Sequence, residues 1–158
     1  MDLLKRTNNL VKRLGEANIT LAVAESCTGG YISNMITNIP GASAIFDRGI
    51  ICYSNESKTQ LLNVDPKTLE KDGAVSESVA QQLARNIRIL SNTTIGISTT
   101  GIAGPTGGSP EKPIGLIYIG FSNENATIVE KYQLSADRIS FKEKVFDIIL
   151  SYLEKVTK

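Results

Sequence analysis

A chain of 158 residues with 17 basic and 16 acidic side chains, a net charge of +1 and no tryptophan suits one domain spanning 1–158. It lacks the basic excess that phosphate-dominated nucleic-acid binding requires, and no apolar run approaches the roughly 18 residues of a membrane span, so a soluble, cytoplasmic protein without a nucleic-acid or membrane partner is expected. There is no histidine, which excludes a Ser-His-Asp triad, a Cys-His pair, a histidine-ligated zinc and a histidine general base from within this chain.

The N-terminal stretch MDLLKRTNNLVKRLGE mixes charge with leucine instead of forming a signal core, and Leu3, Leu4, Leu10, Val11 and Leu14 at helical spacing predict an amphipathic helix over 2–16. Residues 19–24 form an apolar run expected of a strand buried on both faces, ending in Glu25-Ser26-Cys27-Thr28-Gly29-Gly30 before a helix to about 37. After the Pro40-Gly41 turn, 45–54 reads as a strand, Asn55 as the cap of a helix to about 62, and Asp65-Pro66 as the opening of a short one. Ser76 caps a helix whose Val79, Leu83, Ile87 and Leu90 make an inward stripe. A buried strand over 94–98 leads into the glycine-rich stretch 99–108, followed by a hairpin of 114–121 with 126–134. A helix from Asp137 to about 156 closes the chain, with Phe141, Val145, Ile148, Ile149 and Tyr152 inward. The expected fold is α/β: a three-layer α/β/α sandwich with a mixed, mainly parallel sheet.

With histidine absent, a base must be Lys, Tyr, Asp or Glu. Ser43, Tyr53 and Lys58 form one candidate group: a hydroxyl after a glycine turn, a tyrosine at a strand end and a lysine near a helix start. An unperturbed lysine, pKa about 10.4, is neutral in only about one molecule in 2,500 at pH 7, so it works as a base only if burial and the helix dipole lower it. The competing reading is a solvated helix lysine beside a core tyrosine. Ser26, taken alone, reads as a turn or cap residue, and Cys27 and Cys52 as small core residues. The 99–108 loop lacks a P-loop or dinucleotide fingerprint; it is either an anion cradle at the carboxyl edge of the sheet or a tight connection. Arg138 is either a phosphate clamp or a surface charge.

The ordered blocks Ala24-Glu25-Ser26-Cys27-Thr28-Gly29-Gly30, Gly41-Ala42-Ser43, Tyr53-Ser54-Asn55-Glu56-Ser57-Lys58, Gly73-Ala74-Val75-Ser76 and Gly101-Ile102-Ala103-Gly104-Pro105-Thr106-Gly107-Gly108 closely resemble the CinA C-terminal domain family, over essentially the whole chain. Its characterised enzymes are nicotinamide mononucleotide amidohydrolases, so the resemblance implies hydrolysis of that nucleotide to nicotinate mononucleotide and ammonia, in pyridine nucleotide salvage. It implies Ser43 as nucleophile with Lys58 and Tyr53 assisting, and Ser26, Thr28, Gly29, Thr100, Gly101, Ala103 and Arg138 on the substrate side. It further implies a homodimer, no metal and no cofactor, and 158 residues suit the stand-alone form. Two departures fall beside these positions: Ala136 stands where the family often has Gly, and Tyr31 where Trp is common. The rival readings are a non-catalytic nucleotide-binding or interaction module linked to competence or DNA damage, and a serine amidase for another carboxamide.

Overall fold

The computed structural model describes residues 2–158. Five strands, β1 (Leu21–Glu25), β2 (Phe46–Ile51), β3 (Ile95–Gly101), β4 (Leu116–Ser122) and β5 (Thr127–Gln133), form one sheet in the order β2-β1-β3-β4-β5. β1 pairs in parallel with both β2 and β3, and the late hairpin adds β4 antiparallel to β3 and β5 antiparallel to β4. Four strands therefore point one way, which is the mixed, mainly parallel sheet expected.

Six helices cover the two faces: α1 (Leu3–Glu16), α2 (Tyr31–Thr37), α3 (Asn55–Leu62), α4 (Pro66–Asp72), α5 (Glu77–Ser91) and α6 (Arg138–Val156). Alternation along β1 divides the core. Leu21 and Val23 join α1, α2 and α6, whereas Ala22 and Ala24 face Leu62, Leu69, Val79, Leu83 and Ile87 of α3, α4 and α5. The second face is built from small residues because α5 lies close on it; a Cβ on Gly96 or Gly120 would meet the Ala84 or Ala80 carbonyl at 2.2 or 2.7 Å.

Local chemistry sets the helix ends. Asp2, Ser54, Asp65, Ser76 and Asp137 each accept a backbone N–H in the first turn of the helix that follows. The cap of α3 is thus Ser54, one residue before the expected Asn55. Leu4 and Leu90, predicted inward, are half exposed, and on α6 Phe146, Leu150 and Leu153 take core positions while Ile148 and Tyr152 pack only partly. On α6 the buried face is therefore wider than the stripe read from spacing.

Candidate active site

β1 has parallel neighbours on both sides, and the chain leaves it toward β2 but later returns to β3, so a crevice opens beyond the carboxyl end of β1. Glu25 is level with Ile51 and Thr99, which places Ser26 and Cys52, just past the ends of β1 and β2, level with Thr100 near the end of β3. The Ser26 N–H donates to the Thr99 carbonyl at 3.1 Å and the Cys52 N–H to the Glu25 carbonyl at 2.8 Å, so the turn is fixed to both neighbours.

A cavity of about 220 Å³ occupies this crevice. Ser26, Cys27 and Lys58 line it together with Ala74 and Val75 from the α4–α5 connection, Thr100 to Gly104 at and beyond the end of β3, Thr106, and Tyr53 and Arg138. Lys58, on the first turns of α3, is only 1% exposed. Its Nζ lies 3.0 Å from Ser26 Oγ, 2.8 Å from the Cys52 carbonyl and 3.1 Å from the Tyr53 carbonyl, with the Ser54 carbonyl farther at 3.5 Å. No carboxylate pairs with it among the described residues. Burial pushes the Lys58 amine below its ordinary value, opposed weakly by the nearby Cys52 and Cys27 thiols. The same burial pushes the Cys27 thiol up to about 12, so it stays protonated and is no nucleophile.

Arg138, the first residue of α6, donates through Nη1 to the Gly104 carbonyl at 2.7 Å and through Nη2 to the Tyr53 hydroxyl at 3.2 Å. Thr100 lines the cavity, but its hydroxyl donates to the Ala74 carbonyl at 2.8 Å and so also fixes the opposite wall.

Of the residues singled out in the sequence, Ser26, Tyr53, Lys58, Thr100, Gly101, Ala103 and Arg138 meet around this one cavity. Thr28 is fully buried beneath it, and Gly29 is exposed outside it. Ser43 does not join them. It lies exposed in the 3-10 turn Ala42–Ala44 before β2, and parallel pairing of Leu21 with Phe46 and of Glu25 with Ile51 sets that turn at the amino edge of the sheet. At about 3.3 Å per residue, the length of β1 separates Ser43 from the cavity by about 15 Å, and the hydroxyl that Lys58 meets within this chain is Ser26.

The CinA C-terminal domain model matches residues 4–157. The chain belongs to the CinA C-terminal domain family. It is 47% identical over 149 residues to a protein of Caldanaerobacter subterraneus subsp. tengcongensis, covering 92% of this chain and 36% of that one. With a CinA-like protein of Kosmotoga olearia it shares 45% over 147 residues, covering 93% and 35%. It spans about a third of the length of these curated relatives. Among solved structures it is similar to the competence/damage inducible protein CihA of Agrobacterium tumefaciens, with a TM-score of 0.95, 31% identity and coverage of 100% and 97%. A competence or damage-inducible protein of Enterobacter asburiae gives 0.94, 29%, 100% and 99%.

Two features of this CinA domain's site lie in the blocks quoted for the resemblance but were given no role there. Ala74 and Val75 line the cavity although they lie in a different connection from every candidate except through Thr100, and their small size was no signal. Glu25 did carry one: a carboxylate ending an otherwise apolar strand, directly before a serine, and fully buried in the structure. No helix is long and apolar enough to cross a membrane among the described residues, and none of their His, Cys, Asp and Glu side chains form a group of three or more that could hold a metal ion.

Proposed function

We propose that this CinA domain is a serine amidohydrolase that converts nicotinamide mononucleotide and water to nicotinate mononucleotide and ammonia, with Ser26 as nucleophile and Lys58 as its base. The contact between Ser26 Oγ and a lysine that is 1% exposed, at 3.0 Å and on the cavity wall, carries the reading. A neutral amine has two N–H bonds and one lone pair. The Cys52 and Tyr53 carbonyls take the two N–H bonds, and the lone pair is left for the Ser26 hydroxyl proton.

In the forward step Lys58 takes that proton as Ser26 Oγ attacks the carboxamide carbon, giving a tetrahedral oxyanion. The C–N bond then breaks while the Lys58 ammonium returns the proton to the departing nitrogen, releasing ammonia and leaving a nicotinoyl ester on Ser26. Water repeats the cycle against the ester: Lys58 takes its proton, the C–O bond to Ser26 breaks, and the proton returns to Ser26. Arg138, with one guanidinium edge held by Gly104 and Tyr53, would clamp the phosphate, and Thr100 to Ala103 would line the ribose side. The substrate comes from the family resemblance and the chemistry from the site.

A homodimer belongs to the same proposal, because β2 is an open, largely exposed edge strand. That edge also favours a second reading, in which a partner copy brings its own Ser43 to the cavity and Ser26 assists. Ammonia release measured for Ser26→Ala, Ser43→Ala and Lys58→Ala separates them. Loss with Ser26→Ala and Lys58→Ala but retention with Ser43→Ala supports the first assignment; the converse for the serines supports the second. Nucleotide binding by the unaltered chain without any ammonia would point to a binding module.

A further inference from the structure

Glu25 is the last residue of β1, precedes Ser26 and has no exposed surface, yet the reaction outlined above gives it no part. One carboxylate oxygen accepts from the Thr28 hydroxyl at 2.6 Å, the Gly30 N–H at 3.0 Å and the Ile32 N–H at 3.2 Å. The other accepts from the N–H and the hydroxyl of Ser33, both at 2.8 Å. Every donor comes from the turn that follows Ser26 and the start of α2. The Thr28 hydroxyl also lies 2.8 Å from that of Thr99 on β3, so the turn is anchored to the central sheet as well.

The remaining backbone donors of this turn are accounted for with two exceptions. The Gly29 N–H donates to the Ser26 carbonyl and the Tyr31 N–H to the Thr28 carbonyl. Between residues 26 and 33, the N–H groups of Cys27 and Thr28 alone donate to no other residue among the described ones, although both residues are buried. Buried backbone N–H groups are rarely left without a partner. Cys27 lines the cavity beside Ser26, and the residue after a nucleophile commonly supplies an oxyanion donor.

We propose that Glu25 is a positioning residue whose carboxylate locks the 26–33 turn so that the Cys27 N–H, on the cavity wall, receives the oxyanion formed when Ser26 attacks. The proposal rests on Ser26 being the nucleophile. A carboxylate is required because both of its oxygens face donors. In Glu25→Gln one of them becomes an NH₂ group, directed either at Thr28, Gly30 and Ile32 or at Ser33, and the turn must rearrange.

The test uses Glu25→Gln and the near-isosteric Thr28→Val, which removes a single donor to Glu25. Two rates are read: steady-state ammonia release from nicotinamide mononucleotide, and phosphonylation of Ser26 by a simple fluorophosphonate, which needs nucleophile and oxyanion donors but no nucleotide recognition. For Glu25→Gln, kcat should fall about 10²-fold with KM little changed, the size of effect seen when one oxyanion donor is lost. For Thr28→Val the expected fall is about tenfold, the loss of one hydrogen bond to a charged group. The acid limb of the pH profile should keep its midpoint, since Glu25 acts by geometry, and phosphonylation should slow in parallel. Wild-type kcat in both variants, or a KM effect in place of a kcat effect, overturns the proposal. If Glu25→Gln does not fold, Thr28→Val decides. A wild-type chain phosphonylated at Ser26 but inert toward the nucleotide refutes the substrate alone, and the phosphonylation ratio still decides the role of Glu25. A wild-type chain that is not phosphonylated at Ser26 removes the nucleophile and this proposal with it.

Discussion

Replacing Lys58 by Met gives a thermodynamic handle on whether this lysine can act as a base. The folded chain holds Nζ at 1% exposure against one hydroxyl and two close carbonyls, with no carboxylate partner among the described residues, and burial lowers its pKa from 10.5. A lowered folded pKa means that, over some range, the folded chain has released a proton that the unfolded chain still binds. Stability attributable to Lys58 therefore rises with pH from the folded pKa up to 10.5 and is level outside that window. One proton contributes a slope of up to about 1.4 kcal/mol per pH unit within it. The raised thiols of Cys27 and Cys52 pull the other way above pH 9.0, but both variants share them. Urea unfolding of wild type and Lys58→Met at a series of pH values from 6 upward should thus give a free-energy difference that shifts in favour of wild type as pH rises, while the variant releases no ammonia. A difference independent of pH, or one moving against wild type, would show that the amine stays charged in the folded chain. It would refute Lys58 as general base at neutral pH.

Two other perturbations probe the frame around the site. Gly120→Ala sets a Cβ 2.4 Å from Ser98 Oγ, 2.7 Å from the Ala80 carbonyl and 2.8 Å from Ala84 Cβ, forcing α5 off the sheet; a loss of about 1–3 kcal/mol is expected in calorimetry or urea titration. Arg138→Ala should raise KM for nicotinamide mononucleotide at least about tenfold, the scale of a lost charge-assisted pair, while leaving turnover of the riboside without phosphate unchanged; an equal loss on both substrates would place Arg138 elsewhere in the mechanism.

The strand and helix pattern was legible because buried strands and capped helices are written locally, in apolar runs and in Ser or Asp before a helix. So was most of the cavity lining, since Ser26, Tyr53, Lys58, Thr100 and Arg138 all sit at strand ends or helix starts on one edge. The hydroxyl that meets Lys58 was not. Ser26 and Ser43 both follow or precede strands within a glycine-bearing turn, and only the parallel pairing of β1 with β2 decides that one lies at the carboxyl edge and the other at the amino edge. That pairing is a long-range fact with no signature in residue spacing. The family resemblance named Ser43, Tyr53 and Lys58 together; in the fold Tyr53 and Lys58 line the cavity, and Ser43 of the same chain lies at the opposite edge of the sheet.

The treatment of the two buried charges beside Ser26 unites the site. Glu25 and Lys58 are both at most 1% exposed, and Cys27 and Cys52 feel the field of each. They do not form an ion pair among the described residues. Direct pairing would have stabilised both charges and held the lysine as an ammonium, unable to accept the Ser26 proton. Instead five N–H and O–H donors solvate the carboxylate from the α2 side, and the lysine receives only neutral carbonyls and a hydroxyl. Lys58 is left without an anionic partner, and burial lowers its pKa. For a chain with no histidine, the proposed role of Lys58 as base requires this separation. It also means that supplying Lys58 with a carboxylate should be as damaging to turnover as removing the amine.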